Sequence, residues 1–272
     1  MMIPFILITD SNLHDIYLSI LKYHILSTHP HLTIFEHCIN SSENKVNKAA
    51  AYILLNEHHF PDNTIFFIET NIPQKIETQK ILLIQYHQKW IFTPDNGLIG
   101  LLEQNKIQNV YYWKEHIHSS FYSKNEMLNA LKNFVVNQFN ISNDFKPITN
   151  KNYIQLHWPD IIEHSSNTNI KKIFIPILYI DSYDNIILQF KKTQYESLLN
   201  NYNVTIHTPY EKINTISKTY NYVDNASTIA LFNDAEYLEI ASNGGKLASL
   251  IAHKDIYSEP TYLIYVELKP KK

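Results

Sequence analysis

Residues 3–8 read I-P-F-I-L-I, an unbroken apolar run, and T-D-S-N follows at 9–12. A short run with no polar alternation suits a strand buried on both faces, as parallel strands covered by helices are. Thr9-Asp10-Ser11-Asn12 supplies turn and helix-capping chemistry at the end of that strand. Apolar residues then recur at Ile16, Ile20, Tyr23 and Leu26, a helical period between Leu13 and Thr28 that His29-Pro30 closes.

The same alternation continues. A strand is expected near 32–36, a helix near 44–58, and a β-rich buried run at 64–68 (T-I-F-F-I) that ends in Glu69. Residues 80–86 and 89–92, separated by His87-Gln88, read as a hairpin. After T-P-D-N-G at 93–97 come a strand at 109–113 and a helix near 124–139. Strands alternating with helices predict an α/β N-terminal domain with a mostly parallel sheet, over residues 1–150. Residues 140–170 are rich in Asn, Ser, Pro and Lys, so a linker is placed at 151–170. Beyond it, short β-type runs at 173–180, 186–190, 204–207, 220–222, 228–232, 237–240 and 262–268 are broken only by brief helices. They predict a smaller all-β, barrel-like C-terminal domain over 171–272.

Composition narrows the chemistry. The 23 basic residues are all lysine, and glycine occurs only at Gly97, Gly100, Gly244 and Gly245, against about 19 for a protein of this length with average usage. Asparagine reaches 29, a bias typical of an A+T-rich genome. A mechanism that needs a guanidinium fork or a glycine-rich phosphate cradle is thereby disfavoured. A net charge of −3 gives no general attraction to nucleic acid or to an anionic membrane. One cysteine, Cys38, excludes an internal disulfide and a thiolate zinc cluster. No apolar run approaches the ~20 residues of a membrane span, and the start lacks a signal-peptide pattern, so a cytoplasmic protein is expected. The 14 histidines contain no H-E-x-x-H spacing, and no metal site is expected.

In parallel α/β sheets, ligands bind beyond the carboxyl ends of the strands. Asp10, Glu69 and Asp95-Asn96-Gly97 fall at such ends. A carboxylate there can accept both hydroxyls of a ribose diol. Each also has a plain structural explanation: a helix N-cap for Asp10, a solvated loop for Glu69, and a strand-closing turn with positive φ at Gly97 for the third.

The order of I-L-I-T-D at 6–10, D-x-Y at 15–17, T-P-D-N-G-L at 93–98 and Y-L-E-I-A-S-N-G-G at 237–245 resembles the S-adenosylmethionine (SAM) hydroxide adenosyltransferases, which are related to the fluorinase and chlorinase enzymes. The resemblance implies an α/β domain followed by a β-barrel, and a homotrimer whose nucleoside sites lie at subunit interfaces. It implies attack of water or hydroxide on C5′ of SAM, giving adenosine and methionine without a cofactor or metal. Asp10 matches the aspartate that grips the ribose diol; Asp95 and Asn96 match within P-D-N-G-L and are expected with it among the ribose and adenine ligands. Tyr183 and Asn185 match the adenine-contacting Phe and Asn of F-G-N, and Asn233 and Glu239 match the later motifs of the ribose and adenine site.

The catalytic positions differ. Glu69-Thr70-Asn71-Ile72-Pro73 stands where the family has D-P-G-V-G, keeping a carboxylate one methylene longer. No arginine exists for the second role, which leaves Lys75 or Lys80 to supply charge. Tyr122-Ser123-Lys124-Asn125 replaces H-G-R-D, putting Tyr122 at the histidine's place, and Asp234 stands where the family has a serine near the methionyl carboxylate. Two readings follow: a SAM hydrolase with an altered triad formed by Glu69, Tyr122 and Lys75, or a non-catalytic relative that binds adenosine or another nucleoside, or only builds a trimer.

Overall fold

A computed structural model describes residues 3–11, 15–39, 44–70, 80–114, 122–165, 170–220, 227–242, 246–251 and 264–271. The chain divides into two compact units, Met1–His157 and Trp158–Lys272.

In the first unit the strands are β1 (Ile3–Thr9), β2 (Leu32–Cys38), β3 (Ile65–Glu69), β4 (Ile81–Tyr86), β5 (Lys89–Pro94), β6 (Ile107–Trp113) and β7 (Phe145–Pro147). The helices are α1 (Ile16–Thr28), α2 (Lys45–Asn56), the single turn α3 (Leu98–Leu101) and α4 (Tyr122–Val136). The sheet order is β2-β1-β3-β5-β4-β6-β7. Pairing is parallel from β2 to β5 and antiparallel beyond, where the β4–β5 hairpin enters. Phe5 and Leu7 pack in one cluster with Leu18, Leu21, Ile25 and Phe134, while Ile6 and Ile8 are also fully buried. Burial on both faces is what the unalternating I-P-F-I-L-I run encodes.

Helix α1 corrects one expectation. Ile16 and Tyr23, read as its core stripe, are each 68% exposed and Ile20 is 44% exposed, while Leu18, Leu21 and Ile25 are buried. The two stripes share helical spacing but start two residues apart, a rotation of about 200° at 3.6 residues per turn. On a helix apolar all round, periodicity cannot choose between them. The cap is corrected too: Asp15, not Asp10, caps α1, its Oδ1 accepting from the Tyr17 N–H at 2.8 Å.

The second unit contains β8 (Ile162–Ser165), β9 (Lys171–Ile175), β10 (Ile177–Ile180), β11 (Ile186–Lys191), β12 (Tyr202–His207), β13 (Lys212–Ile213), β14 (Ile216–Ser217), β15 (Thr228–Phe232), β16 (Tyr237–Ser242) and β17 (Ile264–Pro270). Two short helices, α5 (Lys192–Asn201) and α6 (Leu247–Ile251), accompany them. They form two five-stranded sheets, β10-β11-β16-β15-β14 and β13-β12-β17-β9-β8. Alternating residues such as Ile173, Ile186, Leu188, Ile206, Leu238 and Val266 make one shared core.

Candidate functional site

Strand order marks the place in the first unit where α/β sheets commonly bind ligands. From β1 the chain crosses to β2 on one side, then returns past β1 to β3 on the other, so the topology reverses between β1 and β3. A crevice opens beyond the carboxyl ends of strands at such a switch point. Thr9 is in register with Glu69 there, and the Asp10 N–H reaches the Glu69 carbonyl at 3.4 Å. Glu69 is 2% exposed, and its Oε2 accepts a 2.7 Å hydrogen bond from Thr9 Oγ1. Thr9 Oγ1 in turn accepts from the Ser11 N–H at 3.0 Å, shaping the turn that carries Asp10. Asp10 is half-buried and pairs with Lys45 at 2.7 Å, from the first residue of α2.

The P-D-N-G loop is tied to the same end of the sheet. Asn96 Nδ2 donates to the Thr70 carbonyl at 3.0 Å, while Asn96 Oδ1 accepts from the Leu98 N–H at 3.2 Å. Thr70 Oγ1 is buried with no hydrogen-bond partner among the described residues. Asp95 points the other way: Oδ1 accepts from the Ile154 N–H at 2.8 Å, and Lys80 reaches the Asn152 carbonyl beside it. Burial pushes the Asp95 carboxyl above the usual carboxylate range, against the Ile154 hydrogen bond and the Lys80 charge. Gly97 has φ +95°, and a Cβ there would strike the Leu156 side chain. The segment 152–156, within the stretch expected as linker, therefore packs on this loop and belongs to the first unit.

In the second unit, Tyr183 and Asn185 lie on the turn joining β10 and β11. Asp181 organises it: Oδ1 accepts from the N–H groups of Tyr183 and Asn185, both at 2.9 Å, and Oδ2 accepts from Asn185 Nδ2 at 2.9 Å. Tyr183 is 79% exposed, leaving its ring available to a flat partner. Asp184 takes the left-handed conformation, φ +68°, at the position where F-G-N has glycine, and its Oδ2 accepts from the Ser249 N–H of α6 at 2.7 Å. Asn233 and Glu239 are brought together: Asn233 Nδ2 donates to Glu239 Oε2 at 3.3 Å, and Tyr220 donates to Oε1 at 2.5 Å. Burial raises the Glu239 carboxyl above its usual range; the two hydrogen bonds oppose this, while the charges of Asp181 and Asp234 add to it. Burial holds the Tyr220 phenol well above the ordinary range, with the hydrogen bond to Glu239 and its charge adding to this, and Asp181 and Asp234 contributing less.

Asp10, Glu69 and Asn96 thus gather at one switch point, while Tyr183 and Asn185 share Asp181, whose charge also acts on the Glu239 carboxyl that Asn233 hydrogen-bonds. Tyr122 begins α4, but its side chain lies outside the described residues, as does Lys75 entirely. Sequence reasoning missed Thr9, Lys45, Asp181 and Tyr220. Asp181 carried a usable signal, since D-S-Y-D-N has the composition of an Asx turn. Lys45 carried none, because its approach to Asp10 depends on the path from β2 into α2. Among the described residues, no group of three or more His, Cys, Asp or Glu side chains is placed to hold a metal, and no helix is long and apolar enough to cross a membrane.

A profile of the SAM hydroxide adenosyltransferase N-terminal domain matches residues 5–139, and one of the C-terminal domain matches residues 175–255. No curated protein matches the chain. Among solved structures, an uncharacterized conserved protein from Thermotoga maritima superposes with a TM-score of 0.75 at 15% identity, covering 97% of this chain and 99% of that one. A conserved hypothetical protein from Thermus thermophilus superposes with a TM-score of 0.67 at 14% identity, covering 98% and 100%. At such identities these two likenesses establish the shared fold alone.

Proposed function

Because the chain belongs to the SAM hydroxide adenosyltransferase family, we propose that it binds SAM and hydrolyses it to adenosine and methionine. The observation that carries this reading is the pairing of Asp10 and Glu69 at the β1/β3 switch point. Asp10 would grip the ribose diol, and Glu69 would orient a water molecule toward C5′. The water oxygen bonds to C5′ as the C5′–S bond breaks, and the sulfonium leaves with the electron pair as neutral methionine sulfur. The proton released by the water passes to the Glu69 carboxylate. The sulfonium is already a good leaving group, so orientation and desolvation of the nucleophile are the protein's main contributions. Lys75 and Tyr122 are proposed to supply charge and a hydrogen bond to that water in place of the family's arginine and histidine.

Tyr183, Asn185, Asn233 and Glu239 are proposed to hold adenine and ribose, with Asp95 and Asn96 shaping the loop beneath. The active form is proposed as a cytoplasmic homotrimer, each site joining the N-terminal unit of one subunit to the C-terminal unit of the next. The family resemblance supports that assembly, and a single cysteine agrees with a reducing compartment.

A second reading, nucleoside binding without chemistry, is favoured by the absence of any arginine to fill the family's second catalytic role. Incubation of the purified protein with SAM, followed by chromatography for adenosine, separates the two. Adenosine accumulating beyond one equivalent supports the hydrolase. Intact SAM, together with adenosine binding measured by calorimetry, supports the binder.

A further inference from the structure

The second unit has a cavity of about 570 Å³ that takes no part in the proposed reaction. It opens where β12 of one sheet faces β14 and the end of β15 of the other, with α5 alongside, the kind of sheet mouth in which small ligands bind. Its volume lies within the range of about 300–1,000 Å³ usual for small-molecule sites.

The lining is chemically one-sided. Lys192, Lys218 and Lys271 border it, and among the described residues no carboxylate does, in a chain that has 26 acidic residues to 23 basic ones. None of the three lysines forms an ion pair with a described residue. Lys271 is held by α5, its Nζ donating to the Asn200 carbonyl near the end of that helix at 2.7 Å. A fourth ammonium, that of Lys171, sits 5.5 Å from the ring centre of Tyr202, which forms part of the wall. Tyr202 and Phe232 give the cavity aromatic surface, while Asn203 and Asn214 add neutral hydrogen-bonding groups.

We infer that this cavity binds a small phosphate ester with a flat, apolar body, of about nucleotide size. Separate ammonium groups suit a phosphate dianion, which several point charges can neutralise without a guanidinium fork. The aromatic and aliphatic walls take the ring, and the amides take its polar edge. The site is independent of the SAM reading, since it shares no residue with Asp10, Glu69 or the Tyr183–Glu239 set.

The test is calorimetric titration of the full chain with adenosine 5′-monophosphate, adenosine and inorganic phosphate, at low and high salt. It is run on the wild type, on the Lys192→Glu/Lys218→Glu double variant and on Asp10→Ala. Both lysines are exposed, so the double variant should keep the fold. The monophosphate is expected to bind the wild type with salt-sensitive affinity and the double variant at least tenfold more weakly. Asp10→Ala should retain that binding, adenosine affinity should not respond to the double variant, and inorganic phosphate should compete weakly. Hydrogen exchange should show protection at 199–204 and 214–218 when the monophosphate binds. Equal affinity of the wild type and double variant for the monophosphate, or no binding by the wild type, overturns the inference.

Discussion

Thr9 Oγ1 donates a 2.7 Å hydrogen bond to Glu69 Oε2, joining the carboxyl ends of β1 and β3 where the sheet changes direction. Both side chains are buried, so the bond fixes the rotamer of a carboxylate that solvent does not solvate. Replacing Thr9 by valine keeps the shape and removes both the donor to Glu69 and the acceptor of the part-buried Ser11 N–H. A buried acceptor that loses a partner costs about 1–3 kcal/mol. Urea unfolding of Thr9→Val should show a loss of that order, and SAM turnover should fall with it. An unchanged denaturation midpoint would show that Glu69 does not depend on Thr9.

Asp10 gives the opposite separation of stability from binding. Its ion pair with Lys45 is partly exposed, and pairs of this kind contribute about 0–1 kcal/mol. Asp10→Ala and Lys45→Ala should therefore each unfold within about 1 kcal/mol of the wild type. Calorimetry should find adenosine binding abolished in Asp10→Ala. Unchanged affinity would remove Asp10 from the ribose site.

The buried Asp95 carboxyl makes a prediction about pH. Its folded pKa is raised above 3.8, mainly by burial, so the native state holds its proton more tightly than the unfolded chain. The resulting stabilisation is fully present below 3.8 and is lost as pH rises through the folded pKa. Asp95→Asn retains an oxygen to accept from the Ile154 N–H and carries no charge. Relative to that variant, the wild type should lose stability with rising pH across this window and run parallel to it above. A difference that grows in the wild type's favour as pH rises would contradict the sign of the shift.

Two positive-φ positions should respond differently to alanine. Gly97→Ala meets both the left-handed backbone and the Leu156 side chain, so a loss of about 2 kcal/mol or more is expected in thermal or urea unfolding. Asp184→Ala loses the Ser249 hydrogen bond and gains backbone strain, together about 1–2 kcal/mol. Asp184→Gly loses only the bond and relieves the strain, so it should lie within about 1 kcal/mol of the wild type. Equal losses for the two Asp184 variants would show that the backbone conformation carries no cost there.

The α/β unit followed by a β unit was legible because burial on both faces leaves its mark on sequence: I-P-F-I-L-I and T-I-F-F-I are runs that need helices above and below. The buried face of α1 was not legible, since apolar residues surround that helix and only packing against Phe5 and Leu7 selects Leu18, Leu21 and Ile25. Asp10 and Glu69 could be placed at strand ends from local pattern. Their adjacency follows from crossover order, which local pattern does not contain. Lys45 and Tyr220 lie 35 and 19 residues from the carboxylates they contact, and no spacing rule reaches that far. Asp184 shows a different limit. Its place in the left-handed region is hidden by an aspartate where glycine would have announced it.

The proposed hydrolysis turns on water attack at C5′ of SAM, at the site built on Asp10 and Glu69. It is tested most directly by incubating the protein with SAM in H2 18O and analysing the products by mass spectrometry. Adenosine and methionine are expected in equal amounts over many turnovers, the adenosine carrying 18O at its 5′-hydroxyl, with turnover lost in Glu69→Gln. SAM left intact over a day with stoichiometric protein, or adenosine formed equally well by Glu69→Gln, would contradict it.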